Sequence, residues 1–283
     1  MLKKLLIAAG AVLALYAGGT RFLSDSFDIH NEQIFSEPDY SNPLKISEEE
    51  WGGQNIGLPV LTKKRPEVIL HHKGYTVSYN EELKLPNWVA WTLVPERFED
   101  NVSRTGDFLP DPELDGDDCV TTDDYKHSGY DRGHMCPAAD NKWDEQAMRE
   151  SFYMTNICPQ HHSLNRGDWK ELEDACREWT NQNRILYVVC GPIIYNSRHK
   201  TIGERHVVVP EAFYKVVLSL TPPKAIGFVY KNTSGNKPLD SYVNSVDQVE
   251  RLTGIDFFSG LSDSVEAVIE AECNLDDWEM PQN

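Results

Sequence analysis

A series of short, β-rich segments limits the fold of this chain more than any other feature of its sequence. The first three lie at residues 67–71, 75–79 and 87–93, and glycine, asparagine or proline separates each from the next. Short runs of β-branched and aromatic residues bounded by turn formers are typical of β-strands. An apolar run at 184–190, which ends at Gly191-Pro192, is typical of a buried strand. Further strands are predicted at residues 206–209, 212–220 and 225–230. We expect the first three segments to pair in an antiparallel sheet.

Three other segments have the periodicity or the N-terminal residues of α-helices. We predict helices at residues 144–154, 167–181 and 245–252. Asp144 is the candidate N-cap of the first, and apolar residues at helical spacing between Trp169 and Trp179 mark the buried face of the second. The third begins with Ser245, which Gln248 follows three residues later in a capping-box pattern.

The N-terminus differs in composition from the rest of the 283-residue chain. Two lysines precede an uncharged apolar run that ends near residue 19, which is typical of an export signal and short for a membrane span. We therefore interpret residues 1–19 as a signal peptide or, if uncleaved, a membrane anchor. Residues 20–60 are polar and aperiodic and are predicted to form a linker or arm, and residues 61–283 the folded domain.

The charge balance restricts the ligands that the domain can attract. The chain has 27 basic and 45 acidic side chains, for a net charge of -18. Such a charge repels a polyanion at long range. Binding of nucleic acid would therefore depend on a local basic site and a bound cation.

The six cysteines and an acidic loop allow two further expectations. No two cysteines form a C-x-x-C pair, which weakens a zinc interpretation, and in an exported protein we expect at least one disulfide. Cys136 lies two residues after His134, and Cys158 lies seven residues before Asn165. The alternative is that both are small buried hydrophobic residues. Five acidic residues between Asp111 and Asp118 are interpreted as a solvated loop, because their spacing does not match an EF-hand.

Two nearby segments carry the residues most suited to catalysis. His134 ends the string Asp-Arg-Gly-His at 131–134 and has the intrinsic pKa of a general base near neutral pH. Asn165 and Glu173 follow about thirty residues later. Eight residues of helix cover about 12 Å, so we expect Asn165 to bind a metal directly and Glu173 to act through water. One neutral ligand with several waters suits Mg²⁺. Together these residues suggest metal-assisted phosphodiester hydrolysis.

Basic side chains near these segments are candidates for phosphate binding. Arg104 and Arg132 have the planar guanidinium that matches phosphate oxygens. The remaining basic neighbours are Lys126, His127, Arg166 and Lys170. The adjacent His161 and His162 are more typical of exposed loop residues than of metal ligands.

The two segments, read together, resemble the DNA/RNA non-specific endonuclease family of the ββα-metal superfamily. The resemblance lies in Asp131-Arg-Gly-His-Met-Cys-Pro, Asn156-Ile-Cys-Pro-Gln and Leu164-Asn-Arg-Gly-Asp-Trp-Lys-Glu-Leu-Glu, in the family's order and spacing, and it extends from about residue 68 to 258. It implies an α+β fold with a central antiparallel sheet, flanked by helices and bearing a ββα-metal active-site motif.

The resemblance also implies a role for each matching residue. His134 would be the general base and Asn165 the sole direct protein ligand of one Mg²⁺, with Mn²⁺ as the alternative metal. Glu173 and Asp131 would organise metal-bound waters, and Asn156 would hydrogen-bond within the site. The family's catalytic arginine matches Arg104, with Arg97 as a competitor, and Arg132 would add to phosphate contact.

The resulting hypothesis is an exported, periplasmic or extracellular Mg²⁺-dependent nuclease that hydrolyses DNA and RNA without sequence preference. One alternative is a phosphodiesterase that acts on small or non-nucleic phosphodiesters, and the other is an inactive secreted binding domain. The resemblance is consistent with a homodimer. The sequence does not identify an inhibitor protein. Attachment to a membrane would require that residues 1–19 are not cleaved.

Overall fold

The computed structural model of the chain describes residues 56–104, 106–114, 119–195 and 198–278. The predicted signal segment and most of the predicted arm lie outside these ranges. None of the helices in these ranges has the length and apolar composition of a membrane span.

The described residues form thirteen β-strands and five α-helices. The strands are β1 (Val60–Leu61), β2 (Val68–His71), β3 (Thr76–Asn80), β4 (Leu85–Leu93), β5 (Asp131–His134), β6 (Ile157–Gln160), β7 (Leu186–Ile193), β8 (Thr201–Ile202), β9 (Val207–Val208), β10 (Ala212–Leu220), β11 (Pro223–Lys231), β12 (Val243–Asn244) and β13 (Ile255–Asp256). The helices are α1 (Glu145–Glu150), α2 (His162–Arg166), α3 (Asp168–Asn183), α4 (Val246–Thr253) and α5 (Asp263–Ile269).

Seven strands form the central sheet in the order β12-β11-β10-β7-β4-β3-β2. Every neighbouring pair is antiparallel. The predicted antiparallel sheet and the α+β class are therefore confirmed. Successive residues of a strand point to opposite faces of the sheet, and both faces are covered here, so the central strands are buried almost throughout.

The two faces of the sheet carry different layers. On one face, alternate residues of β10 such as Phe213 and Val217 share a core with the apolar side of α3, which includes Trp169 and Trp179. Ile157 and Cys158 of β6 also contribute to this core. On the other face, Tyr214 and the remaining alternate residues pack with α4, α5 and the segment after β13. The buried face predicted for the second helix is thus confirmed.

The strand β7 continues further than predicted. The sequence indicated an end at Gly191-Pro192, but β7 runs to Ile193, and Pro192 lies opposite Phe213 of β10. Its pairing with β4 ends at Cys190. Beyond that point β7 has a neighbour on one side, where a residue without an N–H group is tolerated.

One predicted helix ends earlier than expected, and another begins as predicted. Asp144 caps α1 as expected, by accepting hydrogen bonds from the backbone N–H groups of Gln146 and Ala147, but the helix ends at Glu150. Beyond its end, the backbone of Leu109 bonds to Phe152 and Met154, so those groups cannot continue the helix. The predicted capping box of α4 is confirmed, since Ser245 and Gln248 exchange side-chain and backbone hydrogen bonds.

The expectation of a disulfide is wrong for the described residues. Cys136, Cys158, Cys176 and Cys190 are buried thiols and Cys273 is an exposed thiol. Burial raises the pKa of the Cys136 thiol to about 12, so it behaves as a small apolar side chain. The alternative interpretation of Cys136 and Cys158 as buried hydrophobes is correct.

The acidic loop is not uniformly solvated. Asp111 is buried, and its carboxylate accepts hydrogen bonds from His72 Nε2 and Thr155 Oγ1. Burial acts to raise the pKa of Asp111, but the bonds from His72 and Thr155 outweigh it and hold the pKa below its usual value. The interpretation of this residue as solvated is therefore wrong, and residues 115–118 lie outside the described part of the loop.

Candidate active site

A β-hairpin followed by a short helix builds the site. The strand β5 pairs antiparallel with β6, so that Asp131 lies opposite Gln160 and His134 opposite Ile157. The chain then turns through His161 into α2. This ββα unit brings together the two segments that the sequence analysis singled out, although about thirty residues separate them in the chain.

Gly133 allows the hairpin to close beside Gln160. A Cβ atom at residue 133 would lie 2.2 Å from Gln160 Oε1 and 2.7 Å from Gln160 Cβ. Both distances are below van der Waals contact, and Gln160 is fully buried. The position between Arg132 and His134 therefore requires a residue without a side chain.

We accordingly expect Gly133→Ala to destabilise the hairpin by about 1–3 kcal/mol, the usual range for overpacking. Urea unfolding of the variant should show a lower midpoint than wild type. Gly106→Ala is the matched control, because a Cβ there has no heavy atom within 4 Å. An unchanged midpoint for Gly133→Ala would show that Gln160 moves away at no cost.

His134 lies in an aromatic recess. Its ring contacts Phe108 and Phe152, with ring centroids 5.3 Å and 4.9 Å away. Its Nε2 atom is buried and has no hydrogen-bond partner among the described residues. Burial, together with the positive charges of Arg104 and Arg132, lowers the pKa of His134 to about 3. The ring is therefore neutral at physiological pH, and Nε2 can accept a proton.

Asp131 fixes the orientation of Asn165. The amide Nδ2 of Asn165 donates to Asp131 Oδ2 at 3.0 Å, which leaves the carbonyl oxygen Oδ1 of Asn165 for another partner. Arg166 Nε and His162 Nδ1 also contact the Asp131 carboxylate, at 3.4 Å and 3.2 Å. Burial acts to raise the pKa of Asp131, but the bonds from Asn165 and His162 hold it below its usual value. Asp131 is thus a charged hydrogen-bond acceptor that fixes the orientation of the Asn165 amide.

The geometry assumed for Asn165 and Glu173 is wrong in one respect. The estimate of about 12 Å placed both on one continuous helix. In the structure, Asn165 belongs to α2 and Glu173 to α3, and Gly167 separates the helices with φ -108° and ψ -112°. The chain changes direction between α2 and α3. The distance between Asn165 and Glu173 therefore cannot be calculated from the rise per residue of a single helix.

Glu173 lines the same cleft as His134 and Asn165, which has a volume of about 530 Å³. Burial raises the pKa of Glu173 to about 7, and the positive charges of Lys215 and Arg177 act against this shift. A carboxylate with its pKa raised by burial is stabilised in its charged form when a cation is present.

Basic side chains surround the cleft. Its lining includes five cationic side chains and one acidic side chain, Glu173: the cations are Arg104, Arg132, Arg166, Lys170 and Arg177. The guanidinium of Arg132 lies over the Phe108 ring at 4.4 Å, and that of Arg104 over the Phe152 ring at 5.5 Å. The local basic site that the net charge of -18 made necessary is therefore present.

Of the two competing arginines, Arg104 is the one that lines the cleft. Arg97 donates hydrogen bonds to the backbone oxygens of Thr92, Gly74 and Asp140, and also to Asn141 Oδ1. All of these hydrogen bonds hold loops of the protein together, so the Arg97 guanidinium is not directed at the cleft. Lys126 lines a neighbouring pocket with Arg132 and Asn165, whereas His127 lines neither.

Asn156 supports the site from beneath. Its Oδ1 accepts from the Cys136 N–H, and its Nδ2 donates to the carbonyl oxygens of Cys136 and Ser151, each at 2.8 Å. The amide is fully buried and its hydrogen-bonding groups are in use. Through these contacts, Asn156 joins the chain just after His134 to the end of α1 and acts as a positioning residue. A catalytic role for Asn156 stays a prediction.

Phe108, Phe152 and Arg177 also belong to the site and were not predicted from the sequence. Arg177 lies four residues after Glu173 on α3, a spacing that places two side chains on the same face of a helix and so indicates their proximity. Its guanidinium donates to Asp140 Oδ1 at 2.8 Å. The two phenylalanines come from segments before and after β5, and no periodicity in the sequence pointed to them.

Comparison with known proteins agrees with this architecture. Residues 53–264 match the family model described as DNA/RNA non-specific endonuclease. The chain is 37% identical to a nuclease of Nostoc sp. over 225 residues, which cover 75% of this chain and 81% of that protein. It is 37% identical to the mitochondrial nuclease EXOG of Danio rerio over 67% of this chain and 60% of that protein. For human mitochondrial endonuclease G, the identity is 30% and each chain is covered to 71%.

A solved structure supports the same assignment. It is titled as the EndoG/EndoGI complex and the mechanism of EndoG inhibition, and the match has a TM-score of 0.66 and 28% identity. It covers 70% of this chain and 88% of the solved one.

The fold and the site define a metal-dependent endonuclease with a ββα-metal motif. The chain belongs to the DNA/RNA non-specific endonuclease family, and it acts as a nuclease on nucleic acids.

Proposed function

We propose that this chain is an exported, Mg²⁺-dependent nuclease that hydrolyses both DNA and RNA without sequence preference. The observation that carries the proposal is one basic cleft in which a neutral His134 and the oriented amide of Asn165 are brought together. The export part rests on residues 1–19 alone, and a homodimer stays a prediction.

The residues of the chain divide the chemistry between them. His134 takes a proton through Nε2 from the water that attacks phosphorus, since that atom has no other partner. Arg104 and Arg132 neutralise charge on the phosphate oxygens. Their positive charges also help to keep the imidazole neutral, and a bound phosphate anion would offset their effect and raise the basicity of Nε2.

The residues present fit a hard cation. The Nδ2 of Asn165 is held by Asp131, so its carbonyl oxygen is available as a ligand, and Glu173 offers a carboxylate in the same cleft. Oxygen donors of this kind suit Mg²⁺ or Mn²⁺. When bound, the metal supplies Lewis-acid stabilisation of charge on the phosphodiester oxygens. Asn165 would hold it directly and Glu173 through water.

The cleft favours a polyanion even though the protein is acidic. Phosphate contacts give affinity without reading base sequence, which agrees with cleavage of both DNA and RNA. The contacts are few and local, so we expect binding to weaken as salt concentration rises, with a slope that reflects only those few phosphates.

The proposal is tested by incubating the protein without residues 1–19 with supercoiled plasmid and with single-stranded RNA, in Mg²⁺ or in EDTA. We expect both substrates to be cut in Mg²⁺ and neither in EDTA. Cleavage of a small phosphodiester alone would instead support the alternative phosphodiesterase. No cleavage across a range of metals and salt concentrations would rule out the nuclease and leave the binding-domain alternative. Cell fractionation tests the export part.

A further inference from the structure

A group of carboxylates lies on the opposite face of the sheet from the cleft. Asp247 and Glu250 come from α4, and Glu270 follows the end of α5. One oxygen from each of the three side chains lies within 4.8 Å of the other two. The backbone N–H of Asp247 also donates to the carbonyl oxygen of Glu270 at 3.1 Å, so the two helices are already joined at this point.

Glu270 is buried without a hydrogen-bond donor for its carboxylate oxygen. The residue is 2% exposed, and its Oε1 atom has no partner among the described residues. A buried carboxylate in this condition is costly unless a positive charge compensates it. The geometry therefore leaves a desolvated carboxyl oxygen without a donor, in a group whose ligand atoms lie within 4.8 Å of one another.

The surrounding charges do not supply that compensation. Burial raises the pKa of Glu270 to about 9, and the negative charges of Glu250, Glu266, Asp256 and Asp247 add to this shift. Arg251, an exposed cation, lies 3.8 Å from Asp247. Glu250 accepts one hydrogen bond, from the Phe257 N–H at 2.8 Å.

We propose that Asp247, Glu250 and Glu270 bind a divalent cation, and that Ca²⁺ is the ion best suited to the site. Carboxylate oxygens bind Ca²⁺ at about 2.4 Å, so two ligands of one ion are separated by at most about twice that distance. The three oxygens meet this limit as they stand. Ca²⁺ accepts varied coordination numbers and several carboxylates, whereas Mg²⁺ prefers to retain its waters.

Such an ion would cross-link α4 and α5. Both helices cover one core of the sheet through Val246, Val249, Val265 and Ile269. The bound cation would therefore stabilise this layer without taking part in phosphodiester cleavage. It is independent of the metal in the cleft, because the two sites share no residue.

The test is thermal unfolding of the full chain in EDTA and across a Ca²⁺ titration that extends to about 100 times the dissociation constant, which is about 10⁻⁴ to 10⁻³ M for weak extracellular sites. We expect Ca²⁺ to raise the Tm of wild type by roughly 5 to 10 °C at about 100 times the dissociation constant. Glu270→Gln should abolish this rise. In EDTA the variant should be at least as stable as wild type, because a desolvated carboxyl group without a donor for Oε1 has been replaced by a neutral amide.

Controls separate this site from the others. Glu272→Gln makes the same charge change at an exposed residue and should keep the response to Ca²⁺. Asn165→Ala should also keep it, which excludes the cleft as its source. Nuclease activity of Glu270→Gln in Mg²⁺ should equal that of wild type.

Equal Tm values in Ca²⁺ and EDTA for wild type, or a full response in Glu270→Gln, would overturn the proposal. If Glu270→Gln does not fold, Glu250→Gln and equilibrium dialysis of wild type decide it, and binding of no Ca²⁺ outside the cleft refutes it.

Discussion

Replacing His134 with alanine should lower the rate of plasmid and RNA cleavage by about 10² to 10⁴, the usual contribution of a placed general base. The unpartnered Nε2 is the atom available to accept the proton, and no other described histidine lines the cleft. Initial rates at saturating Mg²⁺ measure the effect. His71→Ala is the matched control, because His71 is exposed on the edge strand β2, and its activity should equal that of wild type.

The pH profile of wild type gives the same prediction a second readout. Since burial and two arginines lower the pKa of His134 to about 3, the ring stays neutral as pH falls through 6.5. A loss of cleavage near pH 6.5, the value of an unperturbed histidine, should therefore not come from His134; Glu173, whose pKa burial raises to about 7, is the group expected to titrate there. A rate loss centred near 6.5 that persists in Glu173→Gln, or a His134→Ala variant with wild-type rates and an intact circular dichroism spectrum, would contradict the role of His134.

The residues that could be placed from sequence alone are those governed by local rules. Alternation and turn formers located the central strands, and the Ser245–Gln248 spacing located the start of α4. His134 and Asn165 were paired through a resemblance, and the register of β5 with β6 now gives the structural reason why their segments meet.

Features that depend on distant parts of the chain could not be predicted. Lys215 occupies an inward position of β10, where alternation indicates an apolar residue, yet it is buried with its ammonium 4.6 Å from the Trp169 ring. Only the packing of α3 on the sheet creates that environment, and it places a positive charge near Glu173. The strand β7 can likewise continue through Pro192 because its pairing with β4 ends at Cys190.

Asn165→Ala should reduce cleavage by about 10² to 10³, because a direct ligand contributes several kcal/mol of charge stabilisation and about 1.4 kcal/mol corresponds to tenfold in rate. Asn181→Ala is the matched control, since Asn181 is exposed on α3 and contacts Glu178. Rates are measured as a function of Mg²⁺ concentration. Activity of Asn165→Ala equal to that of Asn181→Ala at every Mg²⁺ concentration would leave Asn165 as no more than a structural residue of α2.

The contact between Asp131 and Asn165 separates ligand identity from ligand orientation. Asp131→Asn keeps the ligand but weakens the acceptor that holds Nδ2 at 3.0 Å, so we expect a 10- to 100-fold loss that higher Mg²⁺ partly restores. Asn165→Asp keeps an oxygen ligand but places a second carboxylate where Asp131 now accepts a hydrogen bond, and the two negative charges repel each other. If orientation by Asp131 matters, Asn165→Asp should require more Mg²⁺ than wild type, and the double variant Asp131→Asn with Asn165→Asp should recover part of the loss. Independent, additive losses in the double variant would show that the two side chains act separately, since only residues that interact depart from additivity.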